Sequence, residues 1–270
     1  MSVRGFAFVV LLGTLFAAVG SLFGLFGAAV ALAFAVVLAF WSYWSSAAEI
    51  IARTGAELVR DPRITALTQE LAGQAGIPTP HVYEFEDHQP NALALGPSPN
   101  DSIILITSGL RRQFPEDEIG AVLAHEIAHI ANRDVFTGTL AAAAIAALLL
   151  LAIPLTLLGM VLRGKGGGGM MAIAVLAPAA ALLVRCAMVR SVEYRADAYA
   201  ARLCGDPAPL IAALSRLIQH TRPCEFALRE PAFASMFFVD PLPSTWIGRL
   251  LASHPPIERR IDRLMRLTER

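Results

Sequence analysis

His125-Glu126-Ile127-Ala128-His129 sets two imidazoles four residues apart with a carboxylate between them. On a helix, positions i and i+4 share a face, so both rings can reach one metal ion while Glu126 stands beside them. With six histidines in 270 residues, a chance coincidence of these positions is rare. The flanking residues supply the helix that the pentapeptide needs. Pro115 suits a first helical position, and Glu116, Asp117 and Glu118 follow in the first turn, where carboxylates favour the positive end of the helix dipole. Ile119, Val122, Leu123 and Ile130 provide a buried face, and the pattern lets the helix continue through Asn132 and Arg133. The chemistry predicted is that of a zinc-dependent peptidase.

Working outward, the chain is apolar: 56% of residues are hydrophobic and only 16% charged, on the apolar side of a soluble domain. After Arg4 the next charged residue is Glu49, and a membrane-spanning helix needs only about 20 residues. Residues 5–48 therefore accommodate two spans, with a bend between Gly20 and Gly27. A secretory signal peptide starting at Arg4 is the alternative, and its apolar region would cover only about 7 to 15 of those residues. Val135 to Leu162 is a third uncharged stretch, with Pro154 inside it. Gly166 to Val184 is a weaker fourth, opened by glycines, interrupted by Pro178 and closed by Arg185, and it fits either a span or an interfacial hairpin. The connection Arg163-Gly164-Lys165 with its glycines lacks phosphate-loop spacing and reads as a turn.

The net charge is zero, which implies no general attraction to nucleic acid. The placement of charge is more informative. Arg53, Arg60 and Arg63 follow the second span, Arg133 precedes the third, and Arg190 and Arg195 follow the fourth. By the positive-inside rule both termini and the polar segments face the cytoplasm, with Arg163 and Lys165 outnumbered on the far side. Cys186, Cys204 and Cys224 contain no CxxC pair, and in that compartment they are expected to stay reduced as packing residues. His220 and Cys224 lack further ligands nearby.

The expected organisation is two amino-terminal transmembrane helices in 1–48, a first catalytic part in 49–134, a membrane or membrane-associated hairpin in 135–190, and a second catalytic part in 191–270. The first polar part shows helical spacing at Ile50, Ile51, Ala56, Leu58 and Val59, then Leu67 and Leu71, up to a turn at Gly76-Ile77-Pro78. His81 to Phe85, the short run around Ala92 to Leu95, and Ser102 to Thr107 read as strands of a small sheet. The second part is helical in pattern and ends in an amphipathic helix with Ile257, Ile261, Leu264 and Leu267 on one side. Phe237-Phe238-Val239 suits a core or cleft-wall strand.

A catalytic zinc takes three protein ligands and keeps one position open. Glu193 and Asp197 lie four residues apart and share a helical face, so one can bind metal while the other supports the site. From spacing alone an ordinary charged surface accounts for them equally well. Topology decides between the two. His129 precedes the third apolar stretch and Glu193 follows the fourth, so an even number of crossings returns Glu193 to the side of the histidines. At about 1.5 Å per residue, both stand roughly 10 to 15 Å from the apolar segments.

With these motifs in order, the chain resembles the HtpX-type membrane zinc peptidases, bacterial relatives of the CAAX prenyl proteases. The resemblance runs through the paired spans, Pro90-Asn91-Ala92-Leu93-Ala94, His125 to Asn132, Glu193-Tyr194-Arg195-Ala196-Asp197, and Ser253-His254-Pro255-Pro256 with Arg260 beyond. It implies that His125, His129 and Glu193 bind one zinc ion, that Glu126 is the catalytic acid/base, and that His254 serves the oxyanion. Without the resemblance, His254 reads equally as a packing or capping residue before two prolines. It implies supporting roles for Asp197 and Arg260, and a substrate-pairing strand at Asn91, Ala92, Leu93 and Ala94, with Leu93 where the family commonly has Phe. Such pairing draws affinity from main-chain hydrogen bonds.

The fold class expected is α+β, mostly helical: an integral membrane protein with about four transmembrane helices and a zincin-like catalytic domain containing a small β-sheet. The expected function is a zinc metalloendopeptidase of the inner membrane, catalytic domain toward the cytoplasm, hydrolysing misfolded or damaged membrane proteins. Its partners are protein or peptide substrates and the lipid bilayer. Processing of a defined lipidated peptide is one alternative, though four spans are few for a chamber around a prenyl chain. A non-catalytic zinc scaffold or transporter is another; it leaves Glu126 without purpose, and Arg185 is the one obvious polar residue in the later spans.

Overall fold

The structure is a computed structural model that describes residues 24–96, 98–135, 191–219 and 254–268, with single positions 13, 14, 16, 17, 20, 21, 172, 176, 179 and 238; for 38–46 and 268 it describes the backbone alone. The chain divides into two compact units, one of Met1–Tyr43 with Thr139–Met188, the other of Trp44–Gly138 with Val189–Arg270.

In the first unit the chain turns at Gly24, whose φ of +78° suits glycine. A Cβ at Gly20 would collide with the carbonyl oxygen of Gly27 and with Ala31, so helical residue 20 meets the following helix at backbone contact. That helix, α1 (Gly24–Thr54), is unbroken for 31 residues. Leu25, Phe26, Phe34, Val36 and Val37 are exposed on it. Among the described residues no helix is long and apolar enough to cross a membrane; the side chains of 38–46 within α1, and nearly all of the third and fourth expected spans, lie outside the description.

The second unit is built on a four-stranded sheet of order β1-β2-β4-β3. Its strands are β1 (Glu57–Leu58), β2 (His81–Phe85), β3 (Ala92–Leu95) and β4 (Ile103–Thr107). β2 and β4 run parallel, and β1 and β3 flank them antiparallel. Helix α2 (Pro62–Ala75) connects β1 to β2. Asp61 caps its start by accepting from the Arg63 amide at 2.9 Å, and Gly76 ends it in the left-handed conformation. After β4 come α3 (Ser108–Gln113), α4 (Glu116–Ala131), the helical residues 191–204 (α5), α6 (Ala208–Ile218) and α7 (Ile257–Thr268).

Period-two alternation explains how the sheet is covered on both faces. Ala92, Ala94, Ile104 and Ile106 point into the main core with Ile64, Leu71, Val122, Leu123 and Leu214 from α2, α4 and α6. Leu93, Leu95 and Leu105 point the other way, with Phe85, against Ile50 at the end of α1. The small alanines let α4 lie directly on β3. Glu118 in the first turn of α4 receives both ends of the Arg216 guanidinium at 2.7 and 2.8 Å, tying α4 to α6.

Three local expectations are corrected. The helical spacing read across Ala56, Leu58 and Val59 is not a helix: α1 stops at Thr54, Gly55 takes φ +64°, and Glu57–Leu58 pair with β2. Pro115 is the residue before α4 rather than its first. The helix does not continue through Asn132 and Arg133; Arg133 adopts φ +59° and breaks it. Cys204 is a half-buried free thiol against the core; Cys186, His220 and Cys224 lie outside the described residues.

Candidate metal centre

Two helices bring the centre together. α4 presents His125 and His129 one turn apart, and α5 presents Glu193 opposite them. His125 Nε2 lies 3.0 Å from His129 Nε2, and the two Glu193 oxygens lie 3.4 Å from His125 Nε2 and 3.5 Å from His129 Nε2. Ligands held at about 2.0–2.1 Å in a tetrahedron stand roughly 3.3 Å apart, so these three edges have the spacing of one small metal ion.

The hydrogen-bonding roles agree. His125 Nδ1 lies 3.0 Å from Asp197 Oδ1, which makes Nδ1 the protonated nitrogen and leaves Nε2 with its lone pair aimed at His129. His129 turns its own Nδ1 toward Asp134 Oδ2 at 3.7 Å. Two imidazole lone pairs facing each other at 3.0 Å repel unless a cation or proton lies between them. Glu193 Oε2, Glu126 Oε1 and both ring nitrogens of His254 are buried without a hydrogen-bond partner among the described residues. A metal and a reacting water are the partners such a donor set calls for.

The site's charges are strongly coupled. Burial would raise the Glu193 carboxyl, yet His254, His125 and Arg260 outweigh it and hold it well below the usual range. For Asp197 too, burial acts upward, and Arg260 and His125 bring it below normal. Glu126 goes the other way: burial pushes it up against the pull of His125 and His129. Burial disfavours a charged His129, but Asp134, Glu193 and Glu126 outweigh this and carry it to about 9 in the metal-free site.

Arg260 underlies this arrangement. It is fully buried, donates to both oxygens of Asp197 at 2.7 and 2.9 Å and to the Phe238 carbonyl at 2.8 Å, and lies 3.4 Å from Glu193 Oε2. His254, just ahead of α7, sets Nδ1 3.3 Å from Glu193 Oε2. The fold thus brings His125, Glu126, His129, Glu193, Asp197, His254 and Arg260 into one buried cluster. Asn91, Ala92, Leu93 and Ala94 lie on and beside the edge strand β3, also buried. Phe238 joins the two regions: its amide donates to Ala92 O at 2.7 Å, its ring meets His125 edge-on at 4.7 Å, and the Arg260 guanidinium lies over it at 4.7 Å.

Sequence reasoning did not single out Asp134, Arg195 in contact with it, or the position of Phe238 beside His125. Asp134 had a signal, lying five residues beyond His129 on the same polar stretch. Phe238 had only its place in an aromatic run.

The match to known proteins agrees with this geometry. Residues 58–268 match Peptidase family M48. A protease HtpX homolog of Acidiphilium cryptum is 39% identical over 96% of this chain and 93% of its own length. Another, of Thermococcus kodakarensis, is 36% identical over 87% of this chain and 85% of its own. The crystal structure of S. mikatae Ste24p shares the fold at a TM-score of 0.54 and 20% identity, over 86% of this chain and 56% of that one. A metal-dependent peptidase is the class that fold and site define together. The chain belongs to peptidase family M48.

Proposed function

We propose that this chain is an integral-membrane zinc endopeptidase that hydrolyses misfolded or damaged membrane proteins at the cytoplasmic face of the inner membrane. The observation that carries it is the triangle of His125, His129 and Glu193 with Glu126 beside it, in a chain with long uncharged stretches on both sides. The spans in 1–48 and 135–190 and the catalytic parts in 49–134 and 191–270 follow the charge pattern, and the exposed apolar side chains on α1 suit lipid contact. The relatives carry the name protease HtpX homolog, which favours quality control over processing of one peptide.

His125, His129 and Glu193 would hold one zinc ion, whose Lewis acidity polarises a peptide carbonyl and makes water acidic enough to attack it. Glu126 accepts the proton of the attacking water at its free oxygen and returns it to the leaving amine. Burial raises the Glu126 carboxyl, which makes it a stronger base for the attacking water than an ordinary glutamate. His254, buried with Nδ1 against Glu193 and no hydrogen bond at Nε2 among the described residues, donates from Nε2 toward the carbonyl oxygen as charge develops there. Asp197 fixes the His125 tautomer, and Arg260 keeps Asp197 ionised. β3, with Asn91 to Ala94, would align an extended substrate along its edge once the Phe238 amide has left Ala92 O.

The test is cleavage by purified protein in detergent of an unfolded membrane protein, and of a short peptide with and without a prenyl group. Cleavage of the unfolded substrate at several sites, with no gain from prenylation, is expected. Cleavage confined to the prenylated peptide contradicts the quality-control assignment.

A further inference from the structure

Asp134 has no part in the chemistry above, yet the backbone bends to place it. α4 ends at Ala131, and Arg133 takes φ +59°, the one non-glycine residue with positive φ among those described. Left-handed backbone costs a residue with a Cβ roughly 1–2 kcal/mol, and such strain gathers where the structure needs a particular placement. The turn puts Asp134 behind His129. The carboxylate is buried; Oδ2 faces His129 Nδ1 at 3.7 Å and has no hydrogen-bond partner among the described residues. Oδ1 accepts from Arg195 at 3.0 Å, and Arg195 stands two residues from Glu193 on α5.

The same construction stands behind the other motif histidine, where His125 Nδ1 meets Asp197 and Asp197 is held by Arg260. Each imidazole is thus backed by a carboxylate, and each carboxylate by an arginine. Metal-bound imidazoles need an acceptor for their outer N–H, which fixes the tautomer and ring angle. At 3.7 Å the Asp134 contact exceeds hydrogen-bond length, so the pair is an ion-pair contact in the metal-free site.

We propose that Asp134, braced by Arg195, is a positioning residue that orients His129 for the metal and so sets the affinity of the centre. This rests on the metal site assigned above. The pair also links the segment after the motif to the helix carrying Glu193, so both sides of the centre are held from behind.

The experiment uses the full chain in detergent and measures zinc affinity by competition with a chelator, beside the melting temperature of the metal-free protein. An asparagine can offer its oxygen to His129 or to Arg195 but not to both. Asp134→Asn is therefore expected to weaken zinc binding about 10- to 100-fold, with the metal-free melting temperature lowered no more than in Arg195→Gln, which breaks the same ion pair. Arg195→Gln is expected to weaken it less, and Arg195→Lys to restore it. Asp134→Asn binding within twofold of wild type overturns the proposal, as does an affinity loss no greater than that of Arg195→Gln at the same metal-free melting temperature. Should Asp134→Asn not fold, unchanged affinity in Arg195→Gln overturns it and a loss restored by Arg195→Lys supports it. A wild type that binds no zinc is a different result, one that removes the metal site itself.

Discussion

Replacing Arg260 by methionine should be among the most damaging single changes outside the metal ligands. The guanidinium is fully buried, makes two bonds of 2.7 and 2.9 Å to Asp197 and one of 2.8 Å to the Phe238 carbonyl, and lies 3.4 Å from Glu193. Methionine keeps much of the stem's volume and removes the charge, so the loss reports electrostatics rather than a cavity. Breaking one side of a buried ion pair costs about 3–5 kcal/mol, which at roughly 2–4 °C per kcal/mol for a domain of this size is a fall of about 6–20 °C. The pH dependence fixes the cause. Arg260 holds Asp197 and Glu193 below their normal range, and a carboxylate with a depressed folded-state pKa stabilises above its unfolded pKa and loses that stability as pH falls through the folded one. Without Arg260 both carboxyls rise and take up protons sooner. The penalty should therefore be full at pH 8 and shrink toward pH 5. Urea unfolding of metal-free wild type and Arg260→Met at the two pH values measures it. A loss below about 1 kcal/mol at pH 8, or one unchanged at pH 5, refutes the reasoning.

Zinc binding must displace the proton that the surrounding carboxylates hold on His129 up to about pH 9. Affinity should climb about tenfold per pH unit from 7 toward 9 and then level, with nearly one proton released per zinc at pH 7.5 in calorimetry; a flat profile contradicts this. In the metal-free protein the sign reverses. Protonated His129 stabilises the fold fully below the ordinary value of 6.5, and this is lost as pH rises through about 9. A Cβ at Gly109 would run into the carbonyl oxygens of His88 and Asp87, so Gly109→Ala should cost about 1–3 kcal/mol in melting experiments. Gly73, inside α2 with open space around it, should instead gain about 0.5–1 kcal/mol as alanine.

The elements that local pattern determines were legible in the sequence. Acidic residues after Pro115 marked the start of α4, partial alternation marked β2, a β-branched run marked β4, and the placement of Glu193 after an even number of apolar stretches predicted the carboxylate that the fold brings to His125 and His129. Local pattern also misled. Leu58 and Val59 continue the helical spacing of Ile50 and Ile51, but Gly55 turns the chain and β2 claims Glu57 and Leu58 by backbone pairing. Arg133 gives no glycine signal for the left-handed turn it makes. The contacts that finish the centre join residues far apart in the chain: Asp134 with Arg195, Asp197 with Arg260, Phe238 with Ala92 and His125. No spacing rule encodes such pairs, since they exist only once α4, α5 and α7 have packed. The alternation of Ala92 and Ala94 with Leu93 and Leu95 was visible as a strand, but its burial on both faces depends on α1 and α4 arriving from elsewhere.

The central claim is that Glu126 moves the proton beside a zinc held by His125, His129 and Glu193. Zinc content and cleavage of an unfolded membrane protein, measured together on wild type and Glu126→Gln in detergent, test it most directly. One zinc per chain in both proteins, with cleavage reduced by at least about 100-fold in the variant, is the predicted result. Full cleavage by Glu126→Gln, or a wild type that cleaves without zinc, would contradict it.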